Sequence, residues 1–115
     1  MITSIINADP SSIVVTRHTK VPHAGGFSWT LTTLAAQTVR LYWYSTRNMR
    51  EITLPEGEVK MIVLGILAQP TADFVVGHLS YDTFTFDGRE YRVVGRRVYD
   101  DSNVANCIEC DCVAV

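Results

Sequence analysis

Residues 84–94 read FTFDGREYRVV, and they carry the clearest structural signal in the sequence. Asp87-Gly88 separates two segments in which apolar and polar residues alternate. Such a pair favours a two-residue type I′ turn, because both central residues need a positive φ. The turn and the alternation agree on one register. It pairs Phe86 with Arg89, Thr85 with Glu90, and Phe84 with Tyr91. We therefore predict a β-hairpin with Phe84, Phe86, Tyr91 and Val93 on its apolar face, and Thr83, Thr85, Glu90 and Arg92 on its polar face.

Further short strands are predicted on both sides of this hairpin, at about 12–17, 27–32, 37–44, 60–67 and 104–114. Turn signals separate them, and no window sustains the spacing of an amphipathic helix. In the last strand, Ile108, Cys110, Cys112 and Ala114 fall on one face and Glu109 and Asp111 on the other. Many short strands at this spacing are typical of a barrel or sandwich. We predict one all-β domain over residues 1–115, a small β-barrel or sandwich of six or seven mostly antiparallel strands with long loops.

Composition agrees with a single globular domain. The chain has 115 residues, of which 47% are hydrophobic and 19% charged, and a chain of this length holds one core without staples. The net charge of −2 argues against DNA wrapping as the main activity, since tight duplex binding neutralises several phosphates with Lys and Arg. The longest apolar run, residues 61–68, is too short to span a membrane. No signal peptide is recognisable, so we expect a protein of the cytoplasm or of something assembled there.

Two sets of residues are candidates for contacts with other chains. The strand at 37–44 carries aromatic residues on both faces, and we expect the face of Tyr42 and Tyr44 to be half-buried, under a neighbouring subunit. Arg92 and Arg96 lie among residues of mixed charge, which favours an interface or a solvated sheet face over a nucleic-acid patch. Two polar segments, 18–26 and 45–58, are predicted as long loops, and loops of this length are usually functional or disordered.

The three cysteines lie at 107, 110 and 112, in a chain with no export signal, so free thiols are expected. The spacing invites a zinc hypothesis, with a fourth ligand from His18, His23 or His78. The simpler interpretation is that Cys110 and Cys112 are small core residues. Known catalytic and phosphate-binding motifs are missing from the sequence. We therefore expect no enzymatic activity, no catalytic residues, no cofactor and no metal.

Residues 76–93, from Val76-Gly77 to Asp82-Thr83-Phe84 and on through Asp87-Gly88 to Val93, resemble the hairpin "G-D-x-F-x-x-x-G-x-x-Y-x-V" of phage head–tail joining and head-completion proteins. Earlier segments are similar to the same family in order and spacing: residues 7–10, Arg17, a Gly-Gly-Phe segment, 37–42, 50–52, 56–60 and 64–67. The chain departs from the family pattern at Gly77-His78, where Gly-Asp is usual, and in its cysteine-rich end.

The resemblance implies a stopper, a β-barrel that forms a homo-oligomeric ring (a hexamer or dodecamer) in the virion neck of a long-tailed bacteriophage, assembled in the host cytoplasm. Such a ring closes the DNA-filled head beneath the portal and adaptor proteins and offers a docking surface to the tail terminator and tail. Packaged double-stranded DNA passes through it or is retained without sequence-specific binding. We expect residues 45–58, in particular Arg47, Asn48, Met49, Arg50 and Glu51, to face the channel or the adaptor, and Tyr42, Tyr44, Arg92 and Arg96 to line the subunit interface.

Three other functions remain open. One is a tail terminator or another tail-proximal β ring protein, which co-purification with the tail tube would distinguish. The second is a small metal-binding or enzymatic barrel that uses the cysteines, testable by elemental analysis. The third is a nucleic-acid-binding barrel, whose affinity for oligonucleotides falls steeply with salt.

Overall fold

The computed structural model describes residues 6–99 and 107–115. Apart from one short helix that includes residues 6–8, its regular structure is β. Within these ranges there are nine strands: β1 (Ser11–Ile13), β2 (Val15–His23), β3 (Gly26–Thr33), β4 (Gln37–Trp43), β5 (Arg50–Thr53), β6 (Val59–Ala68), β7 (Ser80–Phe86), β8 (Arg89–Tyr99) and β9 (Cys107–Ala114). The all-β prediction is confirmed, and the predicted number of six or seven strands is wrong. The predicted residues 104–106 of the last strand lie outside the described ranges.

The strands form one antiparallel sheet that curls into a half-barrel. Its order is β1-β4-β6-β9-β8-β7-β2-β3, and β5 pairs with β6 beside this path. Only Val14 separates β1 from β2, yet β1 pairs with β4 and β2 pairs with β7. A nearly continuous chain segment therefore reaches two distant parts of the sheet, and this brings the sheet round on itself.

The hairpin predicted from residues 84–94 has the expected register. β7 and β8 pair Phe84 with Tyr91, Thr85 with Glu90 and Phe86 with Arg89. Asp87 and Gly88 have φ values of 52° and 76°, the positive values that a type I′ turn requires.

The main core lies on the inner face of the curled sheet. Its fully buried members come from most strands of the sheet and include Val15, Val39, Leu64, Ile66, Phe84, Tyr91, Val93 and Ile108. Cys110 and Cys112 belong to the same cluster, each with no exposed surface, as the interpretation of small core residues predicted. A second, smaller cluster of Leu54, Ile62, Val94 and Val113 lies under β5.

Both predicted long loops are wrong. Most of residues 18–26 belong to β2 and β3, which pair from Thr16–Thr33 to His23–Gly26. Residues 45–58 are interrupted by β5, whose Arg50 pairs with Ile62 and whose Thr53 pairs with Val59. Polar residues concealed these strands. β3 and β5 lie at the margin of the sheet, and the outer half of β2 pairs with β3 alone among the described strands, so the core does not select apolar residues there.

The β2–β3 hairpin extends beyond the neighbouring strands. From Val21 onward β2 pairs with β3 alone, since its pairing with β7 ends at Thr19. All eight residues of β3 are exposed. The result is an arm whose two faces are both open to other molecules.

None of the helical structure in residues 6–99 and 107–115 is long and apolar enough to cross a membrane.

Candidate assembly surface

The most distinctive surface of the molecule is one face of the β2–β3 hairpin. Phe27, Trp29 and Leu31 alternate along β3 and point to the same side, with 51%, 41% and 61% of their surface exposed. Lys20 pairs with Trp29 across the hairpin, and its Nζ lies 3.7 Å from the centroid of the Phe27 ring. We call Lys20, Phe27, Trp29 and Leu31 the hairpin face. It combines exposed apolar area with one cationic group.

The hairpin face is anchored at its base by stacked rings. The His18 and Tyr81 rings lie parallel, with centroids 4.5 Å apart, and Trp29 meets Tyr81 edge-on at 5.3 Å. His18 Nε2 also lies 3.0 Å from the Thr83 hydroxyl, a hydrogen bond that fixes the imidazole ring. These contacts fix the root of the arm, whereas residues 21–27 at its tip are all exposed.

Arg92 packs against Tyr81, at the base of the hairpin face, and its side chain is buried within its own chain. Its side chain is 9% exposed, with the guanidinium carbon 3.9 Å from the Tyr81 centroid and an ion pair to Glu56. The bonded guanidinium lowers the pKa of Glu56. The Nε atom of Arg92 is buried without a hydrogen-bond partner among the described residues. Its expected role in a subunit interface stays a prediction, but little of this side chain is available to a neighbour.

A groove of about 390 Å³ lies beside Arg92. His18 and Tyr81 line it, together with Glu56 and Glu58 of the turn between β5 and β6 and Lys60 of β6. Its carboxylates and cations form ion pairs, Glu56 with Arg92 and Glu58 with Lys60. The groove therefore has mixed polarity, as the rims of protein interfaces have.

Tyr42, Tyr44 and Arg50 are brought together by two carboxylates of β9. Tyr44 donates a hydrogen bond of 2.6 Å to Asp111 Oδ1, and Arg50 Nη2 lies 2.7 Å from Asp111 Oδ2. Tyr42 donates to Glu109 Oε1 at 2.9 Å, and its ring meets that of Tyr44 edge-on. The expected half-burial of both tyrosines is confirmed. The chain itself supplies contacts that cover them, and the expected contact of this face with a neighbouring subunit stays a prediction.

Arg97 completes this network, which we call the Asp111 network. It bonds both carboxylate oxygens of Asp111, at 2.7 and 3.1 Å, and Glu109 at 2.9 Å. Burial alone would raise the pKa of Asp111, whose side chain is 3% exposed, but the bonds from Arg97 and Tyr44 outweigh it and lower that pKa. Burial, together with the bonds to Tyr44 and Glu109, raises the pKa of Tyr42. These bonds join side chains of β4, β5, β8 and β9 and so tie four strands together.

The other predicted site residues lie in a turn, in β5 and in β8. Arg47 and Asn48 lie in an exposed turn before β5, with half-buried Met49, whereas Arg50 and Glu51 belong to β5 itself. Arg96 is exposed on β8. A deletion of residues 47–55 would remove β5 and the core residue Leu54.

Sequence reasoning missed one buried ion pair. Arg17 on β2 bonds both oxygens of Asp82 on β7, at 2.9 and 3.0 Å, and Asp82 has no exposed surface. Asp82 also accepts a hydrogen bond from Val75 N–H, and Arg17 pairs with exposed Asp73. The two residues are directly opposite each other on β2 and β7. The ion pair could be predicted only from the register of β2 on β7, and no turn joins these two strands to specify that register.

Within the described residues, no group of three or more His, Cys, Asp or Glu side chains could hold a metal ion. Burial raises the pKa of the Cys110 thiol to about 12 and that of Cys112 well above its usual value. Asp100 and Asp101 lie outside the described ranges. No protein-family model matches the chain, and no curated protein sequence is significantly similar to it.

Proposed function

We propose that this chain is a structural virion protein of the head–tail connector of a long-tailed bacteriophage. It forms the stopper ring that closes the DNA-filled head below the portal and adaptor and presents a docking surface to the tail. The observation that carries the proposal is the β2–β3 arm, which exposes apolar side chains that its own chain leaves uncovered. An arm of this kind suits a protein whose stable state is an assembly.

The resemblance supplies the kind of assembly. Its hairpin motif falls on β7 and β8, and two of its separated elements, Arg17 and Asp82, form the buried ion pair between β2 and β7. The motif residues are thus part of what holds the arm to the barrel-like sheet. This ion pair is the support that the fold gives to the proposal. The proposed position of the protein in the particle rests on the resemblance alone.

Co-purification tests the proposal. An affinity-tagged copy, expressed during particle assembly and recovered from gradient-purified particles, should bring down portal and adaptor proteins, identified by mass spectrometry. Recovery with tail-tube proteins alone would replace the stopper by a tail terminator. As a matched pair, Arg47→Ala tests the turn proposed to face the channel or adaptor, and Arg89→Ala alters an exposed arginine in the β7–β8 turn region. Only Arg47→Ala should reduce DNA retention or adaptor binding.

One observation favours a second candidate function, the binding of single-stranded nucleic acid. Exposed Phe27 and Trp29 beside Lys20 have the character of a stacking platform for bases. This candidate predicts that a fluorescent oligonucleotide binds at low salt and is released steeply as salt rises. The stopper proposal predicts no such binding, so a titration at about 20 mM salt separates the two.

A further inference from the structure

A second surface of the same chain complements the hairpin face. On the β5–β6 hairpin, Glu51 pairs with Met61 and Thr53 with Val59. Val59 is 56% and Met61 45% exposed, and Glu51 and Thr53 are exposed beside them. We call these four residues the acceptor face. The opposite side of this hairpin carries Ile52 and Ile62, which pack into the smaller core cluster, so the acceptor face points away from its own core.

The two faces carry opposite charge. The hairpin face has one charged residue, the cation Lys20, and the acceptor face has one charged residue, the carboxylate Glu51. Among the described residues, no carboxylate lies within ion-pair distance of Lys20, and no cationic group lies within ion-pair distance of Glu51. Each face therefore offers exposed apolar area together with one charge that the described chain leaves available.

The outer edge of β3 is unpaired among the described residues. Within that part of the chain β3 ends the sheet, with β2 on one side only. Its eight residues, GFSWTLTT, include no charged residue and no proline. Edge strands usually carry charged residues or proline, which prevent pairing with other chains. An uncharged edge strand of this length, apolar on one face, is a surface that an assembled protein covers.

We infer that the hairpin face of one subunit packs on the acceptor face of the next, with Lys20 beside Glu51 of the neighbour. Both faces are exposed in one and the same chain, so they do not cover each other, and their partner of matching chemistry is a second copy. Because the two faces are different surfaces, the contact is heterologous. Contacts of this kind repeat from subunit to subunit and close into a ring when the rotation allows it. The inference builds on the proposed ring and names the surfaces that form it.

Variants that block one face each give the test. Leu31→Asp blocks the hairpin face and Met61→Asp the acceptor face. Thr30→Asp, on the opposite face of β3, and Val98→Asp, on exposed β8 surface, are the matched controls. Sedimentation velocity over a concentration series should show wild-type protein and both controls associating, and each blocked variant should need at least about tenfold higher concentration. Circular dichroism verifies that every variant is folded.

Mixing the two blocked variants separates this inference from other modes of association. Met61→Asp keeps an intact hairpin face and Leu31→Asp an intact acceptor face, so an equimolar mixture should form a 1:1 dimer that grows no further. Lys20→Glu should weaken association, and Glu51→Lys in the same chain should restore it, which gives a second test that leaves the apolar residues in place.

Wild-type protein that stays monomeric to about 1 mM, the range of the weakest specific contacts, would overturn the inference. A mixture without heterodimer, or equal loss in Thr30→Asp, would do the same. The connector proposal is judged separately, by co-purification with portal and adaptor. A ring that forms through these faces in a protein found with neither would retain the inference and remove the proposed function.

Discussion

The ring of Tyr42 lies directly over Gly65, its cross-strand partner between β4 and β6. A Cβ atom at Gly65 would overlap the aromatic ring. The absence of a side chain at this position lets the tyrosine lie flat across the neighbouring strand and reach Glu109 with its hydroxyl. The glycine in an otherwise apolar strand is therefore explained by packing, an arrangement known to stabilise glycine within sheets.

Gly65→Ala should destabilise the fold by about 1–3 kcal/mol, because the new methyl group forces Tyr42 away from its position. Chemical denaturation followed by fluorescence measures the change. In a Tyr42→Ala background the same substitution meets no ring and should cost less than about 1 kcal/mol, so the two changes are coupled. Equal cost in both backgrounds would contradict the contact.

Asp111→Asn should destabilise the protein at pH 7 by about 1–3 kcal/mol, the usual worth of hydrogen bonds to a charged group. Because Arg97 and Tyr44 lower the pKa of Asp111 below its ordinary value of 3.8, the carboxylate stabilises the fold fully above about pH 4. That contribution disappears as the pH falls through the lower, folded pKa. Unfolding free energies of wild type and variant should therefore approach each other as the pH falls below about 4. Glu58→Gln, at an exposed ion pair, is the control and should change stability by less than about 1 kcal/mol.

Arg17→Met should cost about 3–5 kcal/mol, since it leaves the carboxylate of Asp82 buried without its cation. The double variant Arg17→Met with Asp82→Asn removes the uncompensated charge and should recover part of that loss. Urea denaturation of the single and double variants measures both values. A single variant within about 1 kcal/mol of wild type would mean that the pair contributes nothing to the fold.

Only one cysteine should react with a thiol reagent in the folded protein. Cys107 is half-buried, whereas Cys110 and Cys112 are fully buried in the core. Burial also raises the pKa of all three thiols, which keeps them in the less reactive protonated form. Titration with a chromogenic disulfide at pH 8 should count one slow thiol, and three after denaturation. Rapid reaction of all three in the native state would contradict the burial of β9.

The sequence predicted best where local chemistry determines the geometry. Asp87-Gly88 sets its own turn and thereby the register of β7 on β8, and the alternation in β9 identified its core face. The network around Asp111 could not be predicted. It joins residues of β4, β5, β8 and β9 and the residue that follows β4, and no local signal in the sequence specifies which strands are neighbours. Glu109 and Asp111 were recognised as one face, but alternation alone does not tell a solvated face from one covered by Tyr42, Tyr44 and Arg97.

The strands at the margin of the sheet were missed for a related reason. β5 and the outer half of β2 are polar, and periodicity identifies a strand only where the core selects apolar residues on one face. The hairpin face had a readable signal, the alternation of Phe27, Trp29 and Leu31 in an uncharged strand. Its significance depends on exposure, which the sequence alone does not give.

Cryo-electron microscopy of the particle that contains this chain tests the proposed stopper ring. We predict a ring of copies between the portal assembly and the tail, with the β2–β3 arm of each subunit on the β5–β6 hairpin of the next. Density for the chain in the tail alone, or a neck that lacks it, would contradict the assignment as a stopper.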